Sequence, residues 1–532
     1  MIKKYISKYH FRHLRKQLKG VRVLRKKGEP YFVNNLLSEL TNIPLDLKPS
    51  DFHESLVGDH AGNAEVLLRQ IFLNRSYKLS SAIMATFGSG SSLKFILPPT
   101  WIRHIRKKGI SVSTKISLVC IYLLAFKNIL YGFSKLFFLL SHKGVSDNFN
   151  LPYVVFLGLK QDNLPDSKAS RKYDIISWFR KSGIEQNENI QIWAQCKIPK
   201  KYNPPDNLIV SRFIFPKFKN SKQYVYFFLK SINGLIISVF GVLRGKWWYG
   251  VLFSESVNLY YVMALGGQHI AKGYYFNNSG WFLKPLWTYE AEKYESKCIL
   301  YYYSTNIENY QYNHQKQVKK VIYGLKIMTW KNFVVWDQEQ EDYLRQFCPN
   351  SNYIQVKYLD FSGKEFLHKK SSGKKRLAVF DVTPTRLTHY LKLGVAEPHY
   401  YSEELNLAFL QDIINIFPQD EWDILWKRKR LVGYTFCSKG FINKQNDLVS
   451  SKLNIIESSV AARALVESSD AVISMPFTST AILGKIKGVP SIYYDALGHA
   501  QQTEVHGIEI LACKEDLSNW RKIISCEETS QK

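Results

Sequence analysis

Val472-Ile-Ser-Met-Pro-Phe-Thr-Ser-Thr-Ala481 opens as the apolar run of a buried strand. It then sets a proline and a group of hydroxyls where the next helix should begin. The pattern predicts a strand over 471–475 and a helix from Ser479 onward. A single Ser or Thr at such a corner is accounted for by helix capping. Ser474, Thr478, Ser479 and Thr480 together exceed what one cap needs. The unpaired N–H groups of a first helical turn beside them would suit a phosphate.

Outward from this corner, strands and helices alternate. Towards the C-terminus, 489–495 (VPSIYYD) and 508–512 (IEILA) read as strands and 514–524 as a helix. Towards the N-terminus come a helix at 461–468, a strand at 422–427 (WDILWK), a helix at 403–417 and a strand at 377–382 (LAVFDV). Before them lies a polar Lys/Gly/Ser-rich stretch, 361–376, with the composition of a hinge. A first series precedes it, with strands expected at 153–159, 190–196, 208–215, 298–304 and 332–336. Asp337 after the last of these reads as a helix N-cap, with Glu339 and Glu341 in a first turn that favours acids. The fold class is α/β: strands alternating with helices predict parallel sheets. Two such halves about a hinge predict paired Rossmann-like domains facing a cleft, the GT-B arrangement. The expected division is a basic helical region at 1–150, a first Rossmann-like domain at 151–360 and a second at 361–532, to which the resemblance described below assigns the acceptor and the donor.

In open parallel sheets, ligands bind beyond the carboxyl ends of the strands. The turn after 471–475 is one such end, and the strand 422–427 runs into a second, Lys427-Arg428-Lys429-Arg430. Charge runs are usually solvated surface, but four cations at a buried strand's end beside a hydroxyl-rich helix start would serve an anionic leaving group. Asp381 and Thr383 follow a third strand, and Asp495 and His499 a fourth.

At 532 residues with 45% apolar content the chain can bury a large core, which excludes general disorder. The net charge of +29 calls for an anionic partner: nucleic acid, an acidic membrane surface or a phosphorylated substrate. Seven widely spaced cysteines without a Cys-x-x-Cys pair argue against a disulfide framework or structural zinc and fit a reducing cytoplasm. The first thirty residues hold eleven Lys/Arg and one Glu, without the apolar core of a signal peptide. Ile2, Tyr5, Ile6, Tyr9, Leu14, Leu18 and Val21 recur at helical spacing. Two readings follow, a basic helix on anionic lipid or a solvated arm. Segments 116–140 and 224–243 are apolar, but Lys127 and Lys135 interrupt the first, so a helix in the interface or in the core is expected before a membrane span. Together these features predict a peripheral protein at the cytoplasmic face of a membrane.

The tetrad Pro476-Phe477-Thr478-Ser479, within SSDAVISMPFTSTAILGKIKGVPSIYYD, resembles the hallmark of the polysaccharide-biosynthesis PFTS motif family, glycosyltransferases of bacterial surface-polysaccharide clusters. The resemblance is best from 376 to 511, weaker over 281–305, and does not extend to the first 150 residues. More distantly, the turn is similar to the Ser/Thr motif by which bacterial sialyltransferases and Kdo-transferases hold the phosphate of a CMP-sugar. That likeness implies donor-phosphate contacts from Ser474, Thr478 and Ser479. Those enzymes also carry a His-Pro pair after an earlier strand. This chain has none, and Lys427 to Arg430 stands in the comparable place, which leaves UDP- and GDP-sugars open. The resemblance implies inverting transfer with neither metal nor other cofactor; the sequence agrees in having no Asp-x-Asp pair for a metal-held diphosphate. A general base is then expected in the first half. Glu255, Glu290 and Glu292 are candidates there, each set against an ordinary structural carboxylate. Aromatics are dense between Trp247 and Tyr303; most belong to a core, and a few are expected to face sugars in the acceptor cleft.

The sequence thus predicts a glycosyltransferase with a nucleotide-sugar donor, a CMP-activated acidic sugar among them, and a lipid-linked or surface glycan as acceptor. Two alternatives stand beside it. One is a nucleic-acid-binding protein, disfavoured because no recognition module accompanies the charge. The other is a non-catalytic scaffold of a membrane-bound synthesis complex.

Overall fold

The computed structural model describes the chain except Met1 and residues 142–151, 166–172, 185–189, 198–201, 206, 281–282, 306–323, 367–372, 387, 389–399, 430–436, 450–452 and 527–532; for 2–11 it describes the backbone alone. Arg430 of the basic tetrad falls outside the described residues.

The chain begins with helices Ile2–Lys26, Phe32–Leu40, Glu54–Val57, Ala61–Leu73, Ser76–Ser89, Pro99–Lys107 and Thr114–Leu140. Along residues 12–26 the first packs one face against helix Ser76–Ser89 and so is not a solvated arm, while Arg12, Arg15, Lys16, Lys19, Arg22, Arg25 and Lys26 on it are exposed. Gly20 and Gly88 bring helices Ile2–Lys26 and Ser76–Ser89 into backbone contact. A Cβ on Gly20 would lie 2.0 Å from the Met84 carbonyl oxygen, and one on Gly88 1.8 Å from that of Lys16. Val21 and Leu24 are buried beneath this crossing, and Gln17, also buried, bonds to Ser81.

Two seven-stranded sheets follow. The first comprises β1 Tyr153–Leu157, β2 Gln191–Gln195, β3 Leu208–Ser211, β4 Gly273–Asn277, β5 Lys297–Tyr301, β6 Asn332–Val335 and β7 Asn352–Gln355. The second comprises β8 Lys375–Phe380, β9 Trp422–Lys427, β10 Asn454–Ile456, β11 Ala471–Ser474, β12 Ser491–Tyr494, β13 Glu504–Val505 and β14 Ile508–Leu511. Their orders are β3-β2-β1-β4-β5-β6-β7 and β10-β9-β8-β11-β12-β14-β13. All neighbouring pairs are parallel except the closing hairpin β13–β14. Each sheet reverses its strand order once, between β1 and β4 and between β8 and β11. This is the doubly wound order of a Rossmann fold, whose ligand crevice lies at that reversal. Two such halves across a cleft make the fold GT-B-like.

Successive side chains on a strand point to opposite faces. Tyr153, Val155 and Leu157 accordingly join one core with the N-terminal helices and helix Trp247–Leu265. Val154 and Phe156 join another that continues into the second sheet through Leu359. Polar ties cross between the halves as well. Nδ1 of His506 lies 2.5 Å from Oδ2 of Asp337, Arg463 meets Asp360 at 2.6 Å, and the Tyr173 hydroxyl donates to Glu467 at 2.9 Å.

Two strands escape the sequence pattern of the first sheet. β4 (GYYFN) is hidden in an aromatic-rich stretch, and β7 (NYIQ) is a largely exposed edge strand with little apolar signal.

Candidate functional site

The reversal between β8 and β11 is where the opening decapeptide lies. β11 is buried along its length, and Ser474 pairs with Phe380 of β8 and Tyr493 of β12. The Met475 N–H makes one further bond, to the Phe380 carbonyl, before Pro476 ends the ladder. Phe477 then adopts φ of +62°, a region costly for a bulky side chain. Three tyrosines hold it there. Tyr400 packs edge-on against its ring at 6.0 Å. Tyr401 donates to the Pro476 carbonyl at 3.0 Å and Tyr493 to that of Thr478 at 2.6 Å, so both carbonyls flanking the strained residue are fixed.

Thr478 occupies the N-cap of helix Ser479–Ile486, yet its side chain makes no capping bond. Its hydroxyl donates back to the Met475 carbonyl at 2.9 Å and lies 3.1 Å from the hydroxyl of Thr480, which in turn lies 2.8 Å from that of Ser474. The hydroxyls therefore bond along the turn and do not cap the helix. Ser479 and Thr480 are half-buried; Ser474 is fully buried behind them.

The loop after β9 faces this turn. Asp381, at the end of β8, is buried and accepts from the Lys429 N–H at 3.0 Å and from Asn406 at 3.4 Å; Gln445 in turn donates to Asn406. Burial pushes the Asp381 carboxyl up, opposed by these bonds and the charges of Arg428 and Lys429. Lys427 donates to the Ser458 carbonyl at 3.1 Å; burial pulls its ammonium down to about 8, with Asp381 opposing. Arg428 stacks on Trp426 at 4.4 Å, burial lowers its guanidinium, and its Nε is buried without a hydrogen-bond partner.

These residues enclose a cavity of about 390 Å³. Asp381, Lys427, Arg428, Lys429, Thr478, Ser479 and Thr480 line it from the second half. Tyr303 and Ser304, just beyond β5, line it from the first, and Ser362 from the connection between them. Tyr303 stacks on Phe361 at 4.7 Å. Cations, hydroxyls and the start of a helix on one wall, opposite an aromatic ring, form a site able to hold a phosphate-bearing group.

Other residues singled out from the sequence lie elsewhere. Asp495 is buried and staples its own loop, accepting from the N–H groups of Ala500 at 2.6 Å and Leu497 at 3.4 Å, with half-buried His499 on that loop. Thr383 has a buried hydroxyl with no partner and is not on the cavity wall. Glu255 belongs to helix Trp247–Leu265, where the charge of Lys135 faces it. Glu290 lies 2.8 Å from Nε2 of His60 in a buried pair; burial alone would raise its carboxyl, but His60 and Lys293 hold it below the usual range. Glu292 meets buried Lys284 at 2.7 Å. Glu255, Glu290 and Glu292 thus have their interactions elsewhere in the first half, and none of them lines this cavity. Asp337 caps helix Gln338–Arg345 as expected, and its second oxygen meets His506, a partner that no local pattern announces.

Residues 228–521 match the family described as "Polysaccharide biosynthesis PFTS motif protein". No curated protein matches the sequence at a significant level. Among solved structures, the chain is similar to the wall teichoic acid polymerase TagF at 12% identity and a TM-score of 0.37, covering 78% of this chain and 91% of that one. It is similar to the lipopolysaccharide outer core galactosyltransferase WaaB at 10% identity and a TM-score of 0.31, covering 70% and 91%. A trehalose-6-phosphate structure from E. coli with UDP-2-fluoro glucose matches at 8% identity and a TM-score of 0.34, covering 64% and 84%.

Proposed function

The chain belongs to the polysaccharide-biosynthesis PFTS motif family, and from that premise we propose that it is a glycosyltransferase that binds a nucleotide-sugar donor in the cavity between its halves. The observation that carries this reading is the convergence of Thr478, Ser479 and Thr480 with Lys427, Arg428 and Lys429 on one cavity wall, at the reversal of the second sheet. The Arg428 Nε, buried and without a hydrogen-bond partner among the described residues, is a donor in need of an acceptor. A donor phosphate supplies one.

In the proposed reaction the acceptor hydroxyl passes its proton to a general base on the first half, and its oxygen attacks the anomeric carbon. The bond from that carbon to the donor's phosphate oxygen breaks, and the nucleotide departs with the electron pair. Inversion follows from attack opposite the leaving group. Lys427, Arg428 and the first-turn N–H groups of helix Ser479–Ile486 meet the charge that develops on the departing phosphate. Asp381 acts as a positioning residue: it fixes the Lys429 backbone and so the cationic loop. The role of a metal holding the diphosphate passes to these cations. The donor first to be tested is a CMP-activated acidic sugar, with UDP- and GDP-sugars next. The acceptor is a growing O-antigen or capsule glycan, lipid-linked or surface-bound, met at the inner face of the plasma membrane.

Calorimetric titration of the full chain with CMP, UDP, GDP and a short RNA tests the reading. Binding of one nucleotide, weakened roughly fivefold to tenfold in Ser479→Ala and Thr480→Val, is expected for two donors of ordinary hydrogen-bond strength. Binding of RNA alone would replace the transferase with a nucleic-acid-binding protein. Binding of none would leave a scaffold.

A further inference from the structure

Helices Thr114–Leu140 and Ser221–Leu243 contain no Asp or Glu. Each has one finished face. Ile121, Ala125, Gly132 and Leu136 on the first are buried, as are Phe227, Ser231, Gly234 and Gly241 on the second. Their small residues admit helix Trp247–Leu265. A Cβ on Gly132 would meet the Phe253 ring at 2.5 Å, one on Gly234 the Tyr260 hydroxyl at 2.3 Å, and one on Gly241 the Tyr249 ring at 2.3 Å.

The opposite faces have no such cover. Val119, Leu123, Phe126, Leu130, Phe133 and Phe137 recur at helical spacing and are exposed, Leu123 by 63% and Phe126 by 59%. On the second helix Val225, Leu229, Ile236, Phe240 and Leu243 do the same, Leu229 by 60% and Leu243 by 76%. Among the described residues, every exposed large apolar side chain except Tyr77, Ile354, Ile455 and Ile523 lies on these two helices. So concentrated a patch marks an interaction surface.

Charge identifies the occupant. Lys115, Lys127, Lys217, Lys219, Lys222 and Arg244 are exposed on or beside the two helices. A second copy of the chain would set these cations against one another, whereas an anionic leaflet complements both the apolar stripes and the basic groups. The packing also decides the depth. The inward faces are committed to helix Trp247–Leu265, which is buried nearly all round, carries Glu255 and leads into β4. A crossing of the bilayer would strip that packing away; lying in one leaflet preserves it.

We propose that the outer faces of helices Thr114–Leu140 and Ser221–Leu243 form one monotopic insertion surface, seating the protein in the headgroup–acyl boundary of an anionic leaflet. This surface stands on these contacts alone, whether or not the cleft transfers a sugar.

Flotation of the full chain with vesicles of phosphatidylcholine, alone or mixed with phosphatidylglycerol, tests it. The wild type should float with the mixed vesicles. The exposed-face variant Leu123→Ser/Phe126→Ser/Leu130→Ser should bind roughly tenfold less or weaker still, at unchanged thermal midpoint, since apolar insertion carries most of the attraction. The control Ile354→Ser/Ile455→Ser removes exposed apolar groups elsewhere and should float like the wild type. Undiminished flotation of the triple variant would overturn the proposal. So would equal loss in the control, failure of the wild type to float, or a dimer that the triple variant dissociates without any vesicle binding.

Discussion

The two sheets reverse their strand order in the same way and furnish the reversal with opposite chemistry. At the carboxyl end of β1 the loop is flanked by uncharged amides: Asn277 of β4 donates to the Leu157 carbonyl at 3.5 Å, and Gln195 of β2 accepts from the Gly158 N–H at 2.9 Å. Between β8 and β11 stand a buried carboxylate, three hydroxyls, a helix start without a side-chain cap and a guanidinium with an unpaired Nε. The comparison teaches that topology builds the crevice twice, while side chains decide which one can hold an anion. In the first half the investment lies instead in the long crossover from β3 to β4, where helix Ser221–Leu243 turns an apolar face outward.

The largest effect that would break this contrast comes from the cations. Lys427→Ala with Arg428→Ala should weaken nucleotide binding by at least about 100-fold, given ~1.5–3 kcal/mol for each charged hydrogen bond. The matching pair in the first crevice, Asn277→Ala with Gln195→Ala, should leave affinity within about threefold, because neither side chain lines the cavity. Calorimetry on both double variants decides it; equal losses would erase the distinction.

Titration sharpens the same contrast. Burial favours the neutral form of Lys427 and pulls its ammonium down to about 8. The charge that attracts a phosphate is therefore present below that value and lost as pH rises through it. Between pH 7 and 9 nucleotide affinity should fall several-fold to roughly tenfold. Lys427→Arg, whose guanidinium stays protonated, should flatten the fall; an unaltered profile would assign the titration to another group.

The smallest expected effect concerns the tie between the halves. Burial would raise the Asp337 carboxyl, but the bond with His506 holds it below the usual carboxylate range. A depressed carboxyl contributes stability above its unfolded pKa and loses it as pH falls through the lower folded value. Asp337→Asn should thus cost about 1 kcal/mol at neutral pH and nothing in strong acid, measured as the pH dependence of the thermal midpoint. An equal shift at both pH values would mean that the carboxylate's charge is not what ties Asp337 to His506, since asparagine keeps the cap of helix Gln338–Arg345.

Much of this was legible in the chain. The alternation of strand and helix predicted two parallel halves, and the strand ends pointed to the turns that border the cavity. Lys427 to Lys429 and Thr478 to Thr480, which line one cavity, stood out because both are local patterns, a charge run and a hydroxyl cluster, each following an apolar strand. The glutamates show the complementary limit. Glu255, Glu290 and Glu292 look alike in sequence, and only the fold shows that Glu255 faces Lys135 and Glu290 pairs with His60, 120 and 230 residues away, and that none of the three lines the cavity. Tyr303 and Ser304 sat at the end of an expected strand but carried no charge to single them out.

By itself the sequence determined periodicity, net charge and the chemistry of each strand end, since these depend on residues near one another along the chain. It could not decide which apolar stripes face inward. Helices Thr114–Leu140 and Ser221–Leu243 are apolar on both sides, and only the docking of helix Trp247–Leu265 on their glycines sorts a core face from an exposed one. Nor could it decide that Thr478 leaves the helix start without a side-chain cap. That follows from where the Met475 carbonyl and the Thr480 hydroxyl come to rest once Tyr400, Tyr401 and Tyr493 have pinned Phe477 in a backbone conformation it would not adopt alone.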